Sequence, residues 1–494
     1  MDLRSAGQLK GDYNGQSLAG LNLAGMDLTA CRLERCDFSH ADLRGANLVG
    51  VDLSHANFYQ AQLEGANLTR ASLYGAKLDV ALLTSITLLD TNFEMADFSS
   101  ADLQQADLSG ANLSHVNFSG RDLTSTLLAG TDLSQADMSG ADLSGVDLTG
   151  CNCKGADFSG ANLKDALLHD TDCTDANFSA CEFFGVQVAG SNFIGVNMAN
   201  IRVEQVDFSN LKMTSLDASD SKFSRCVFNN TSLEDASFQS CELNEADFHG
   251  ANLTNTDFSK SKLFKLNFNG AQLTGTSLDE ANISQTNLNK VQCEGVSFTS
   301  TILDKVRLAG GVYLGCDFSK LDMTGYDLHA ADFSDSNFAG CELNQALFDG
   351  ANPSRCDFGG ASLQSAALRN VEALAVNFMG ANLTGAVLTG GNFATACFIE
   401  AKLPLCDLSQ ANIDEAMITD AECAGAKFCE ASGQYADFSG SRLINADFTG
   451  ANMLGMNQHG VDDNGAKWRG TNLSQVRNTD KDLAAAQTWQ MPIL

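Results

Sequence analysis

Hydrophobic residues recur along this chain with a period of five. From Leu18 to Leu473, the 92 residues whose numbers end in 3 or 8 are almost all Leu, Phe, Met, Ile or Val. Of the 30 Phe, 28 fall on these centres; Phe184 and Phe264 do not. Two residues before each centre stands a small residue, usually Ala, as at Ala41, Ala46, Ala101 and Ala161. One residue before it is usually Asp or Asn; Ser or Thr follows, then often Gly. A period of five fits neither the 3.6 of a helix nor the 2.0 of a strand. It fits a coiled solenoid whose side is five residues long.

The number of sides follows from the Phe residues. Sorted by remainder on 20, one column of centres (Phe38, Phe58, Phe98, Phe118, Phe158, Phe178 and onward to Phe438) holds 15 Phe in 23 places. The other columns hold 2, 7 and 4. Phe returns every 20 residues, which means four sides per turn. The expected fold is all-β: a four-sided parallel β-helix with the centre and the small residue inside. At about 4.8 Å per coil, about 23 coils make a rod roughly 110 Å long.

Residues 1–15 are expected to cap one end, 16–475 to form the continuous β-helix, and 476–494 to cap the other. In that last segment Thr479 caps a short helix from Asp480, with Asp482 reaching back, Leu483, Ala484, Ala485 and Ala486 continuing it, and Trp489 over the last coil. Between 181 and 228 the small positions turn bulky (Val186, Val196, Ile201, Val206, Leu211, Leu216), which marks an irregular or bent stretch. Centres weaken at Ala218, Pro353, Ala373, Gly433, Gln458 and Asp463.

Composition refines this picture. The 494 residues carry 61 Asp+Glu against 30 Lys+Arg, a formal net charge of -31. That balance disfavours free nucleic acid and anionic membrane as partners and favours a basic protein surface. The start, MDLRSAGQLKGDYNGQS, has no apolar signal core, and no apolar run reaches the ~18 residues of a membrane span. With 16 Cys and no secretory start, a reducing compartment, the bacterial cytoplasm, is the expectation. Ten Cys occupy small positions and four occupy centres, so they read as core fillers; Cys397 and Cys429 point outward. Cys151, Cys153 and Cys173 lack a fourth ligand at metal spacing. His169, His249 and His329 share a column but stand four coils, about 19 Å, apart. No Ser-His-Asp grouping, nucleophile elbow or P-loop is present. The expectation is no enzyme, no cofactor and no metal.

The repeating motif, as in Ala101-Asp102-Leu103-Gln104-Gln105 and Ala141-Asp142-Leu143-Ser144-Gly145, resembles that of the pentapeptide-repeat family over about nine tenths of the chain. The resemblance implies a right-handed quadrilateral β-helix. The best-known members resemble B-form DNA in shape and charge and bind type II topoisomerases; others are associated with secretion systems or membranes.

Two surface features are candidates for binding. Residues 90–175 carry 15 acids and 3 bases, a net charge density per coil equal to that of DNA at about one charge per 1.7 Å. Asp97, Asp102, Asp107, Asp122, Asp132, Asp137, Asp142, Asp147 and Asp157 are the acidic candidates, for a partner with a basic groove such as DNA gyrase or topoisomerase IV. Plain solubility explains the same residues, since Asp is the common residue at that place. The second feature is apolar residues where Asp or Asn should stand: Leu347, Ala367 and Val387 in successive coils, with Leu127 and Leu167 on the same face. These suit a structural adaptor, for instance of a type VI secretion apparatus, or a homodimer. Lys260, Lys262 and Lys265 form a dense basic spot.

Overall fold

The computed structural model describes residues 8–480. The chain divides into two compact units, Met1–Lys262 and Leu263–Leu494, each described by itself.

The five-residue frame is visible in the backbone of the first unit. At Phe38, the N–H donates to Asn57 C=O in the next coil at 2.7 Å, and Asp37 N–H donates to Gln16 C=O in the previous one at 3.0 Å. The corner closes where Ala41 N–H donates to Phe38 C=O at 2.9 Å. His40, the second residue inside that turn, has φ +57°, the mark of a type II turn. The same position recurs every five residues, filled by Gly, as at Gly160 (φ +66°), or by residues such as Asp165 (φ +58°). Gly adopts this conformation freely, while a side chain there costs about 1–2 kcal/mol. Parallel bridges join each coil to the one 20 residues on, as Asp37 to Asn57 and Asp142 to Asn162. Four sides per turn is therefore the architecture.

Rings stack as that period requires. Phe38 and Phe58 lie 5.1 Å apart at 5°, and Phe158 and Phe178 lie 4.8 Å apart at 1°. The small positions are buried too, and when they are not Ala they often carry a donor. Thr91, Thr171 and Ser221 donate their hydroxyls to the carbonyls of Leu68, Leu148 and Met198, each 23 residues earlier, at 2.8–3.0 Å. Cys181 and Cys241 do the same with their thiols, to Phe158 and Ala218. A small side chain with a donor thus satisfies a core carbonyl that Ala leaves to the backbone.

At the start of the unit, β1 (Gln8–Asp12) pairs in parallel with β2 (Asp27–Arg32). The bulky stretch has its own geometry. With Ala at the small position the corner bond is about 2.9–3.0 Å, as at Ala161 and Ala166; with Val196, Leu211 and Leu216 it lengthens to 3.3–3.4 Å. After Phe183, Val203 and Phe223 no such bond forms, and the side becomes a three-residue strand: β3 (Glu182–Phe184), β4 (Arg202–Glu204) and β5 (Lys222–Ser224). β6 (Glu242–Asn244), followed by the small Ala246, keeps the strand form of β5, to which it pairs residue for residue. Within this stretch the corners change while the 20-residue frame is kept. β7 (Lys262–Phe264) follows.

The second unit repeats the plan. Phe298, Phe318, Phe338 and Phe358 stack at 4.6–5.0 Å. β8 (Gln292–Glu294) pairs with β9 (Val312–Leu314), where Tyr313 fills a centre and donates its hydroxyl to Leu288 C=O at 2.8 Å. Gly433, a weak centre, leaves space that the Met453 side chain enters. Trp468 stacks on Phe448 at 4.2 Å. In detail this architecture departs from the expectation. The coil count differs from the expected figure of about 23, and the described residues contain no helix. Thr479 accepts from Gly460 N–H, and Asp480 N–H donates to His459 Nδ1. The cap assigned to Asp482, Leu483, Ala484, Ala485, Ala486 and Trp489 lies outside the described residues.

Candidate binding surfaces

Each acidic candidate is held by the turn that follows it. Oδ1 of Asp97, Asp102, Asp107, Asp122, Asp132, Asp137, Asp142, Asp147 and Asp157 accepts the backbone N–H two residues on, at 2.9–3.1 Å. Asn152, Asn162 and Asn177 add an amide from the next coil to Asp132, Asp142 and Asp157. Asp at this position therefore stabilises the corner, as an Asx turn does, and its second oxygen faces out. The hydroxyls of Thr124 and Thr149 hold the carboxyls of Asp122 and Asp147 below their ordinary range, so both stay ionised.

The nine carboxylates do not share one face. Asp102, Asp122 and Asp142 belong to one column, Asp97, Asp137 and Asp157 to another, Asp107 and Asp147 to a third, and Asp132 to the fourth. Direct like-charge neighbours are Asp122 with Asp142 and Asp137 with Asp157. The acid surrounds the coil, as phosphate surrounds a duplex. One of the three cations in residues 90–175 turns away from solvent. Arg121 stands at a small position, and its guanidinium donates to the carbonyls of Phe98, Ser99 and Ala101. The signal for it was Arg in a place otherwise kept for Ala.

Of the apolar candidates, Leu347, Ala367 and Val387 do stand in one bridged ladder. Leu347 is 45% exposed, Ala367 is buried and Val387 half-buried, so the ladder offers little continuous apolar surface. Leu127, bridged to Asp107, is exposed, and Leu167 is half-buried. Sequence reasoning passed over a richer site. Asn377, Cys397 and Met417 form another ladder of the second unit, with exposed Leu374 and Met379 beside it. Cys397 and Met417 break the Asp/Asn rule that singled out Leu347. Phe184, off the frame, points outward and is 48% exposed. Lys262 pairs with Glu242 at 2.9 Å.

The thiols are all unpaired, and all but Cys397 and Cys429 are buried. Burial pushes Cys181, Cys241 and Cys423 up to about 12, far from a reactive thiolate. Among the described residues no cluster of His, Cys, Asp and Glu is arranged to hold a metal, and no helix is long and apolar enough to cross a membrane.

Among solved structures, the chain is similar to HetL, a pentapeptide-repeat protein involved in heterocyst differentiation regulation in Nostoc sp. strain PCC 7120. The identity is 20%, over 56% of this chain and 88% of that one, with a TM-score of 0.17. Full-length QnrB1, a plasmid-mediated fluoroquinolone resistance protein, is 19% identical over 44% of this chain and 95% of its own, with a TM-score of 0.24. A pentapeptide-repeat protein of the Arabidopsis thaliana thylakoid lumen is 29% identical over 26% and 69%, with a TM-score of 0.13. No curated protein matches the sequence. The family model described as "Pentapeptide repeats (8 copies)" matches residues 14–45, 46–84, 81–120, 91–128, 126–165, 171–210, 212–248, 221–259, 241–279, 267–304, 276–312, 336–372, 377–414 and 421–455. With its frame, its corners and most of its length accounted for in this way, the chain belongs to the pentapeptide-repeat family.

Proposed function

We propose that this protein is a non-catalytic protein-binding scaffold whose acidic outer surface is the contact, and that its partner is a type II topoisomerase, DNA gyrase or topoisomerase IV, whose DNA-binding groove it occupies in place of DNA. The observation that carries this reading is the acidic surround at residues 97–157. Nine carboxylates are fixed by turn hydrogen bonds on all four sides, each keeping an outward oxygen. Fixed charge in a regular array is what a groove built for phosphates attracts, and it steers association at low salt. Pentapeptide-repeat proteins in general are structural or binding proteins, which agrees with the scaffold role. The protein is expected to act in the bacterial cytoplasm.

The test is a supercoiling assay with purified gyrase. The protein should inhibit, less so as salt rises, and reversal of Asp137, Asp147 and Asp157 to Lys should relieve inhibition. Unchanged supercoiling at micromolar protein sinks the topoisomerase reading. A second reading, an adaptor such as one serving a secretion apparatus, is favoured by the exposed Leu374, Met379 and Met417. Capture of a partner that survives high salt and is lost in Met379→Asp with Met417→Asp would support it.

A further inference from the structure

One ladder of the first unit changes sign along its length. Paired coil to coil, it runs from Asp122 through Asp142, Asn162, Glu182 and Arg202 to Lys222. At about 4.8 Å per coil the two acids and the two bases are held at equal spacing on either side of the Asn162–Glu182 step. A half-turn about an axis lying across the face at that step lays Asp122 on Lys222, Asp142 on Arg202, and Asn162 on Glu182 of an identical face. Each of these pairings is made twice and none joins like charges; one coil farther out Asp102 meets Glu242, whose charge Lys222 and Lys262 offset within the chain, and contact of a surface with itself is what a two-fold dimer requires.

The side chains along the edges of the face fit the same operation. Lys164 and Phe184 follow Asn162 and Glu182 by two residues, so the half-turn sets Lys164 over Phe184 of the second copy. Phe184 is 48% exposed and borders a recess of about 420 Å³ shared with Glu182, Arg202 and Glu204. Glu204 is held by Arg225 at 3.0 Å, and the aromatic face beside the remaining Glu182 carboxylate is a receptor for an ammonium group. The side chains of Lys164 and Arg202 are exposed, and neither makes a hydrogen bond or ion pair within the chain among the described residues, while Lys222 pairs with Glu242 at 3.0 Å. On the opposite edge the half-turn brings Gly160 against Ala180 and Gly140 against Asn200, small groups that permit close approach. The acids are ready to pair outward, since Asp142 engages Ser144 and Asn162 through Oδ1 alone.

We infer that the first unit pairs with a second copy of this chain through this face, antiparallel and two-fold symmetric, with Lys164 of each copy seated on Phe184 of the other. The pairing goes beyond the acidic-surface reading and is independent of its partner. Charge sets orientation and rate, and the Lys164–Phe184 contact supplies the desolvated centre.

Sedimentation velocity on the full chain tests it. At about 50 µM protein and 50 mM salt a dimer is expected, and at about 500 mM salt it should dissociate, because exposed ion pairs are screened. Arg202→Glu with Lys222→Glu should be monomeric, as should Asp122→Lys with Asp142→Lys. Mixed one to one, the two variants should form a heterodimer. The basic-side variant touches no turn, and its circular dichroism should match the parent. Phe184→Ser should raise the dimer dissociation constant roughly tenfold, about the worth of a desolvated cation–ring contact. A monomeric parent at low salt overturns the proposal. So does a dimer unchanged by Arg202→Glu with Lys222→Glu, or a basic-side variant that folds and dimerises with itself. Loss of the dimer with gyrase inhibition intact, or the reverse, separates this proposal from the acidic-surface reading.

Discussion

Two stretches of the first unit keep the same period and build different corners. Around residues 136–166 the small positions are mostly Ala (Ala136, Ala141, Ala156, Ala161 and Ala166, with Val146 and Cys151 among them), and every corner closes with a 2.9–3.1 Å bond. Around 183–226 most are bulky (Val186, Val196, Ile201, Val206, Leu211 and Leu216, with Ser191, Ser221 and Cys226 among them), and corners lengthen or open into β3, β4 and β5. The 20-residue register is unchanged across both. The centre residue and the interstrand bonds set the period. Bulk at the small position goes with longer or open corners without dictating them, since Val146 keeps a 3.0 Å bond and β6 is open before Ala246.

The largest effect expected on this comparison comes from the core that both stretches share. Phe158→Ala removes a ring stacked 4.8 Å from Phe178 and should cost about 3–5 kcal/mol by chemical denaturation. A loss below about 1 kcal/mol would show that the stack is not what holds the coil. Next comes a direct exchange of small residues. Ala161→Leu in the tight stretch should cost about 1–3 kcal/mol by overpacking and expose the Ala161 amide to hydrogen exchange. If that amide stays protected, bulk is not what opens a corner.

The smallest effect concerns pH. Thr149 and Thr124 hold the carboxyls of Asp147 and Asp122 below their unfolded values. That stabilisation is complete above the unfolded value near pH 4 and is lost as pH falls through the folded ones. Melting temperature should therefore drop between about pH 5 and pH 2, and less steeply in Thr124→Val with Thr149→Val. An identical slope in that variant would remove the two threonines from the account.

The sequence carries the period and the side count openly, because a core with one shape of gap selects the same residue at every return. Phe38 to Phe58 and Phe158 to Phe178 could be paired from their spacing alone. What it does not carry is geometry with several solutions. Val186 announces bulk, yet whether the corner bond stretches, as at Val196, or breaks, as after Phe183, depends on the neighbouring coils. Arg121 reads as one more surface cation until its guanidinium is seen on three carbonyls. Ala367 sits at an outward place but is too short to reach past its neighbours. The acidic candidates were legible as charge, while their role in fixing turns depends on hydrogen bonds that composition does not encode. The sign change from Asp122 to Lys222 lay in the 20-residue column, unread until the bridges joined it.

The unbroken frame has a consequence for insertions and deletions. A gain or loss of twenty residues restores every downstream side chain to its original face, so the unit grows or shrinks with its outer pattern intact. A gain or loss of five preserves centres, small positions and corners equally well. It also rotates everything downstream by a quarter turn, placing each outward residue beside new neighbours. Length changes in steps of five are thus silent to the interior and drastic for recognition, and a lineage can rewrite which residues stand together without altering any of them.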